Sequence, residues 1–422
     1  MRIDLTRNKL GESYMLECEF VEKINSIHGR AYVAGGWVRD TLRGVEPKDK
    51  DYVITGVLEA DFNELFPQAI KVGKSFPVYL LEIDGLSREI AFARREHSRE
   101  QDAVSSSPTI SIVDDLFRRD TTMNSMAFDL QTQELIDPFQ GKEHIAEQKI
   151  RPTSHHFKDD PVRALRAARQ SAQFGFAIDP LTTQFMQECR ERLTAEPKER
   201  LFTELEKALQ SDRPSTFFLA LRKANLLDIT YPQIYALIGQ TQPVNYHPEG
   251  DAFNHTMEVI DQVAQLNPRV EVRFAALVHD LGKGLTPKER LPAHHLHDVL
   301  GLDALKAFDQ HIGFPNKWLA CAQFTIQNHM RVTQLKQKGK IVDFIAALSD
   351  NPIGSKGFSD IVFADKGYIP DCLLNFTEYL TAMRQIKGTH APGELRGKEI
   401  GNWIRMQQIK VYSQQKQQIL NR

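Results

Sequence analysis

Paired cysteine is missing from this chain. Its four cysteines, Cys18, Cys189, Cys321 and Cys372, are scattered without C-x-x-C spacing, which excludes a zinc ribbon and a disulfide framework. No apolar run approaches the roughly 18 residues of a membrane span, and the charged stretch MRIDLTRNKLGESY at the N-terminus has no signal-peptide core. A cytoplasmic protein with no membrane partner is expected. Charge excess is missing too: 53 Lys plus Arg stand against 55 Asp plus Glu, with a pI near 6.7. That excludes a strongly basic nucleic-acid-binding domain but not a local positive track. What is present is ordinary: 422 residues, 41% apolar and 26% charged, enough for two or three domains with real cores.

The most informative stretch is AYVAGGWVRDTLRGVEPKDKDYVITG, residues 31 to 56. Asp49 and Asp51 flank Lys50 and open the apolar run Tyr52-Val53-Ile54, which reads as a strand. Residues two apart in a strand share a face, so both carboxylates project together while Lys50 points away. Like charges so close repel unless a cation sits between them, and Mg²⁺, held by one or two carboxylates plus substrate phosphates, suits the role. Upstream, Ala31 to Ala34 reads as a buried strand running into Gly35-Gly36. There, missing Cβ atoms let backbone N–H groups approach phosphate oxygens. The chain then enters a helix that sets Arg39 near the bound anion.

This arrangement resembles the head of the class II polymerase-β-like nucleotidyltransferases, the tRNA CCA-adding enzymes and bacterial poly(A) polymerases. Residues 118 to 129, RRDTTMNSMAFD, are similar to the family's RRD-x-T-x-NA segment, with Arg118, Arg119 and Asp120 leading into a helix that carries Asn124. DPFQG at 137 to 141 matches a family turn, and DDPVRALRAAR at 159 to 169 is similar to the EDxxR template motif. In that segment Asp160-Pro161 is a helix start, and Arg163, Arg166 and Arg169 recur along one side of the helix. A carboxylate accepts from an exocyclic amine and a guanidinium donates to ring nitrogen or carbonyl, so Asp160 and Arg163 can read base edges. The resemblance implies selection of CTP and ATP by these two groups without a nucleic-acid template. It also implies nucleotide contacts from Gly36, Arg39, Arg119, Asp120, Asp159 and Arg166, while Arg169 reads as an ordinary ion-pairing residue. The chain departs from the pattern at Asp159 (usually Glu), Trp37 (usually small), Ser125 (usually Ala) and Gln170 (commonly aromatic). Glu89, in the strand-like REIAFAR, is a candidate third carboxylate.

A second constellation lies at His255 in FNHTMEVI, His279-Asp280 in RFAALVHDLGKG, and His294, His295 and His297 in AHHLH. It resembles the HD phosphohydrolase signature, in which an early His and an adjacent His-Asp pair on a later helix ligate a divalent metal. A later Asp completes that family's site, for which Asp365 is the best match, and His329 is a further candidate. Imidazole suits zinc, nickel, copper or iron and carboxylate suits magnesium or manganese, so the sequence does not choose the metal; a metal there would lower the pKa of bound water for phosphate-ester hydrolysis.

The implied fold is α+β: a small mixed α/β head with two helices, followed by an all-helical neck, body and HD domain in which strands disappear. The expected boundaries are an N-terminal extension to residue 28 that forms a bracing amphipathic helix, the head at 29–150, a neck and body at 151–240, the HD domain at 241–350 and a helical tail at 351–422. Arg405, Lys410, Lys416 and Arg422 make the tail readable either as a basic track or as a polar, glutamine-rich helix. The partners implied are tRNA, CTP and ATP, with Mg²⁺ at the head, a transition metal such as Ni²⁺ at the HD site, and a monomer or homodimer. A poly(A) polymerase, an HD phosphohydrolase with a degenerate head, and a non-catalytic RNA-binding protein are the rival readings.

Overall fold

A computed structural model describes residues 14–72, 78–95, 105–243 and 250–421, and the chain divides into two compact units, at Arg192 and Leu193. The first unit runs α1 (Glu17–Ser26), β1 (Arg30–Ala34), α2 (Gly36–Leu42), β2 (Tyr52–Thr55), α3 (Glu59–Leu65), β3 (Ile70–Val72), β4 (Val78–Ile83) and β5 (Leu86–Phe92). It continues β6 (Arg94–Arg95), β7 (Ser105–Ser106), α4 (Ile112–Phe117), β8 (Ala127–Asp129), β9 (Leu135–Ile136), α5 (Gly141–Ala146), β10 (Lys149–Ile150), α6 (Val162–Phe174), β11 (Ala177–Ile178) and α7 (Pro180–Glu188). One sheet has the order β3-β4-β5-β2-β1-β8-β9. Within it β2 and β5 are parallel, and the other neighbours are antiparallel.

The unbroken apolar character of β1 and β2 follows from burial on both faces. Ala31, Val33, Tyr52 and Ile54 pack in one core with Phe62, Phe66 and Tyr79. Their alternates Tyr32, Ala34 and Val53 pack on the opposite side with Leu116 and Ala127. Helix α1 is the amphipathic helix expected from EFVEKINSI. It braces the head through Phe20 and Ile24, both fully buried, with Phe20 edge-on to Tyr52 at 5.3 Å. Burying two such side chains contributes about 1.5–3 kcal/mol each.

Two expectations are corrected here. Among its described residues the head holds four short helices, α2 to α5, where two were expected, because segments such as EADFNEL are too short to read as periodic. Strands also do not stop at residue 150: Ala177–Ile178 pairs in parallel with Lys149–Ile150, a two-residue match below any sequence signal.

The second unit is helical, with no strand among its described residues. Helix α8 (Arg190–Leu193) stands at the junction, then α9 (Lys198–Leu209), α10 (Ser215–Lys223), α11 (Leu227–Thr230), α12 (Pro232–Tyr235), α13 (Ala252–Leu266), α14 (Val270–Val278), α15 (His297–Ile312) and α16 (Asn316–Asn328). The last are α17 (Lys338–Asp350), α18 (Gly354–Lys366), α19 (Asp371–Leu374), α20 (Phe376–Arg384) and α21 (Lys398–Leu420). One hydrophobic core joins Val259, Val263 and Val272 to Phe358, Ile361, Tyr379 and Tyr412, so the residues after 350 are integral to this unit. Tyr412 is buried, Arg405 chelates Asp343 at 2.6 and 2.8 Å, and Lys416 pairs with Asp371 at 3.1 Å. The tail is thus a docked polar helix in which Arg405 and Lys416 neutralise local acids. Arg422 lies outside the described residues. Among the described residues no helix is long and apolar enough to cross a membrane.

Candidate functional site

The sheet brings the glycine turn and the acids together. Ala34 N–H donates to the Asp51 carbonyl at 3.2 Å, so the end of β1 meets the approach to β2. The register Tyr52↔Ile90 sets Glu89 beside Asp51. The register Ala34↔Ala127 brings in the segment before β8, where Gly35 N–H donates to the Met126 carbonyl at 3.1 Å. A cleft of about 650 Å³ opens at this point, lined by Gly36, Arg39, Asp51, Glu89, Arg119, Asp120, Asp160, Arg163, Arg166 and Arg169 among others.

Asp49 and Asp51 precede the strand instead of lying in it. Desolvation in the cleft and the Glu89 charge push the Asp51 carboxyl above its ordinary value, with Asp49 adding and Arg119 opposing. Asp51 and Glu89, crowded in this way with Asp49 contributing from outside the cleft lining, are relieved by a cation, so the carboxylates suit a divalent metal. The residue whose glycine identity is forced is Gly35. Its φ of 79° and ψ of −122° suit glycine alone, and a Cβ there would lie 2.7 Å from Arg119 Nη1. Gly36 opens α2 with only an ordinary 3.6 Å approach to Arg39.

Apart from Asn124, the cations are held by groups that the sequence did not single out. Buried Asp115 accepts from Arg118 Nη2 at 2.5 Å and from Arg119 Nε and Nη2 at 3.2 and 3.0 Å. Burial opposes its ionisation, yet the two guanidinium groups hold its carboxyl below the ordinary value. Arg39 donates to Asn124 Oδ1 at 2.7 Å and to both oxygens of Asp40 at 2.9 and 2.8 Å. Its guanidinium and that of Arg43 stand 4.5 and 4.4 Å from the Phe174 ring centre. Asp120, expected to bind nucleotide, is buried and engaged by Arg166 at 2.9 Å, the Thr121 amide at 2.7 Å and Asn124 at 3.0 Å. Against the effect of burial, these partners hold its carboxyl well below the ordinary range. Asp120 still lines the cleft, with its carboxylate shared by Arg166 and Asn124. Residues 122–124 form a single 3₁₀ turn where a helix was expected. The Asp120 carboxylate competes for the Thr121 amide, the local interaction that diverts backbone from helix.

On α6, Asp160 Oδ1 accepts from Val162 N–H at 3.1 Å, and the helix starts one residue later than the Asp-Pro pair implied, with Pro161 at the cap. Arg163 is buried and donates to the His156 carbonyl at 2.5 Å, while Arg169 bonds Gln173 at 2.8 Å. Asp159 faces His156 Nδ1 at 2.6 Å, about half exposed, and like Asp49 is not among the residues lining the cleft. The departures from the family pattern are accommodated. The Ser125 hydroxyl donates to the Thr121 carbonyl at 3.0 Å and meets Thr153 at 2.6 Å. Gln170 donates to Asp120 and accepts from Thr121, both at 3.2 Å. The aromatic near the arginines is Phe174.

In the second unit the expected metal ligands converge. His255 comes from the first turn of α13, His279 and Asp280 from the end of α14, and Asp365 from the last turn of α18. His297 opens α15 and His329 caps α16. Asp280 Oδ2 lies 3.1 Å from His279 Nε2 and 3.8 Å from His255 Nε2. Its Oδ1 lies 3.3 Å from His329 Nε2 and 3.5 Å from His297 Nε2. Asp365 Oδ1 is 3.2 Å from His255 Nε2. Backbone carbonyls of Ala276, His294 and Thr325 accept from Nδ1 of His279, His297 and His329 at 2.7, 2.8 and 3.0 Å. That fixes the tautomer with each Nε2 lone pair facing the cluster, the outer-shell arrangement of metal-binding histidines. Nε2 of these three rings, Asp280 Oδ1 and Asp365 Oδ2 are buried without a hydrogen-bond partner, and buried polar atoms left this way call for a missing ion. The cluster therefore fits a divalent metal. Burial opposes it, but His279 and Lys283, the latter at 2.5 Å, hold the Asp280 carboxyl well below its ordinary value.

Instead of diverging along a helix, His279 and Asp280 sit where α14 ends in a 3₁₀ turn. Gly282 lets α15 approach this turn, since a Cβ there would collide with the His297 carbonyl. Of the AHHLH histidines only His297 joins the cluster. His294 uses both ring nitrogens on Thr286 and the Thr241 carbonyl, at 2.8 and 2.9 Å, and His295 is exposed.

Residues 31–151 match the poly A polymerase head domain. Residues 175–237 match a family described as probable RNA and SrmB- binding site of polymerase A, and residues 252–350 match the HD domain. A multifunctional CCA protein of Shewanella denitrificans is 38% identical over 313 residues, 72% of this chain and 74% of that one. The chain belongs to the multifunctional CCA protein family. It is thereby a nucleotidyltransferase of the CCA-adding class carrying an HD domain. Among solved structures, the Bacillus stearothermophilus CCA-adding enzyme in complex with CTP has a TM-score of 0.63 at 20% identity, covering 93% of this chain and 90% of that one. A tRNA nucleotidyltransferase complexed with a primer tRNA and an incoming ATP analog has a TM-score of 0.58 at 22% identity, covering 86% and 98%. At these identities the likeness is one of fold.

The groups missed in sequence are those that hold the motif residues. Asp115 had a signal, an acid one helical turn before RRD. Phe174 had none, because its partners Arg39 and Arg43 are more than a hundred residues away in the chain.

Proposed function

We propose that the head adds C and A to the 3′ end of tRNA from CTP and ATP, and that the HD cluster hydrolyses phosphate esters such as 2′,3′-cyclic or terminal phosphates. The observation that carries the first activity is the single cleft in which Asp51 and Glu89 face Arg39, Arg119 and the Asp160–Arg163 turn. The 3′-hydroxyl of tRNA attacks the α-phosphate in line, a new P–O bond forms, and the bond to pyrophosphate breaks. Asp49 and Asp51, with Glu89 beside them, would hold Mg²⁺, which offsets charge on the phosphates and the attacking oxygen. Arg39 and Arg119, made rigid by Asp40, Asn124 and Asp115, clamp the triphosphate. Gly35 keeps the turn open to Arg119, and Gly36 allows the backbone to approach phosphate. Asp160 and Arg163 select the base, Arg166 contacts the nucleotide, and Asp159 steadies the turn through His156. Relatives named multifunctional CCA proteins and a fold shared with a CTP complex support this reading.

At the second site His255, His279, Asp280 and Asp365 would hold a divalent transition metal, nickel among those imidazole suits. Asp280, His297 and His329 would form a second group able to hold a metal ion. A bound metal supplies water of lowered pKa. Lys283, fixed between Asp280 and Gln242, offers positive charge to a phosphate ester. Free cysteines and a tRNA substrate fit a cytoplasmic site of action. Such a cluster has no part in adenylate polymerisation, which counts against a poly(A) polymerase. Two variants test the assignment. Asp51→Asn should abolish CCA addition and spare ester hydrolysis, and His279→Ala the reverse. Addition by Asp51→Asn at the wild-type rate contradicts the head assignment, and hydrolysis undiminished in His279→Ala contradicts the other.

A further inference from the structure

Lys50 poses a problem for the head site. It stands between the two carboxylates assigned to Mg²⁺, and a flexible ammonium able to reach either one is a built-in competitor for the metal. In the structure Lys50 is turned to the opposite side. Its Nζ pairs with the Glu17 carboxylate of α1 and lies 5.1 Å from the Trp37 ring centre and 5.9 Å from that of Tyr52, an aromatic setting that favours a cation. The same Glu17 oxygen accepts from the Tyr52 hydroxyl at 2.6 Å. The Glu17 amide donates to Asp84 at 3.1 Å, so the clamp is anchored at both ends. The Lys50 and Glu17 side chains are only 19% and 27% exposed, which limits solvent screening of the pair. Trp37, unusual at its position, forms a wall of this box.

We propose that Glu17 is a positioning residue of the nucleotidyl-transfer site: it draws Lys50 away from Asp49 and Asp51 and so keeps the carboxylates available to Mg²⁺. This inference rests on the reading of Asp49 and Asp51 as the metal-holding pair. It gives the helix before the first strand a role in metal affinity beyond bracing the sheet.

The test is CTP binding by calorimetry across a Mg²⁺ series with no RNA present, so that no turnover contributes. Glu17→Gln should raise the Mg²⁺ concentration for half-maximal CTP affinity by about fivefold, the weight of one sheltered ion pair. Glu17→Asp, which keeps the charge but shortens the reach, should give a smaller shift in the same direction. Adding Lys50→Met to Glu17→Gln should return the requirement to the wild-type value or below. Glu22→Gln, an exposed acid of the same helix, should change nothing. An unshifted requirement in both Glu17 variants overturns the proposal. So does a double variant as impaired as Glu17→Gln, which would mean that Glu17 acts only by docking the helix. If Asp51→Asn binds CTP with the wild-type Mg²⁺ dependence, it is the underlying metal assignment that fails.

Discussion

Replacing Asp115 by Asn should damage the head more than any exposed substitution, although Asp115 belongs to no motif. The carboxylate is 1% exposed. It takes four hydrogen bonds from Arg118 and Arg119 and a fifth, at 3.3 Å, from the Arg94 amide. Asparagine keeps the shape and one acceptor but turns an amide N–H₂ toward a guanidinium, leaving positive charge uncompensated. Removing one partner of a buried pair costs about 3–5 kcal/mol. Arg118 and Arg119 are 12% and 20% exposed, so water recovers part of that and about 2–3 kcal/mol is expected. For a unit of this size that lowers Tm by roughly 5–10 °C. Function should follow: with Arg119 no longer fixed, the KM for CTP and ATP rises about tenfold or more, as when a charged contact to phosphate is loosened. Thermal melts and addition kinetics read both effects. Asp114→Asn is the control, since the Asp114 carboxylate completes the capping box of α4 by accepting from the Ser111 amide at 3.0 Å and pairs with half-exposed Arg95. It should cost about 1 kcal/mol and leave KM unchanged. An Asp115→Asn protein with wild-type Tm and KM would refute the reasoning.

Gly35→Ala forces a side chain into a glycine-only conformation and against Arg119. A loss of about 2–3 kcal/mol and a raised nucleotide KM are expected, while Gly36→Ala should be milder in thermal melts. Glu271, paired with Lys317 at 2.7 Å and Arg269 at 2.9 Å, has its carboxyl lowered to about 2 by these partners against the effect of burial. Its contribution is present above pH about 4.5 and is lost as pH falls toward 2. It should amount to about 1–2 kcal/mol after screening through half-exposed Lys317, and Glu271→Gln should flatten that part of the acid-unfolding curve. Chelation followed by return of Mg²⁺ alone should restore CCA addition without ester hydrolysis, and His329→Ala should lower the bound transition-metal content measured by mass spectrometry.

The chemistry-bearing residues were legible because catalysis constrains local spacing. Asp49-Lys50-Asp51, Gly35-Gly36, RRD and HDLGKG each lie within a few residues and carry a mechanism, and α6 announces itself by its Asp-Pro start and the spacing of its arginines. What the sequence hid is non-local. Glu89 could be named from its strand, but its place beside Asp51 comes from a parallel register, the pairing of Arg166 with Asp120 joins two distant segments, and Phe174 meets Arg39 from far along the chain. His297 and His294 looked alike in the sequence, and only the hydrogen bonds of His294 to Thr286 and Thr241 separate a structural ring from a cluster member. The docked tail was hidden for the same reason, since buried Tyr412 is one of only two aromatics, with Trp403, in a glutamine-rich helix of low amphipathicity.

The central claim is tested most directly by an extension assay in Mg²⁺ on tRNAs ending before CCA, after C and after CC, each given CTP, ATP or both. The account predicts two cytidines from CTP, one terminal adenosine from ATP, and no further growth. Long adenylate ladders, or no addition to any of the three substrates, would contradict it.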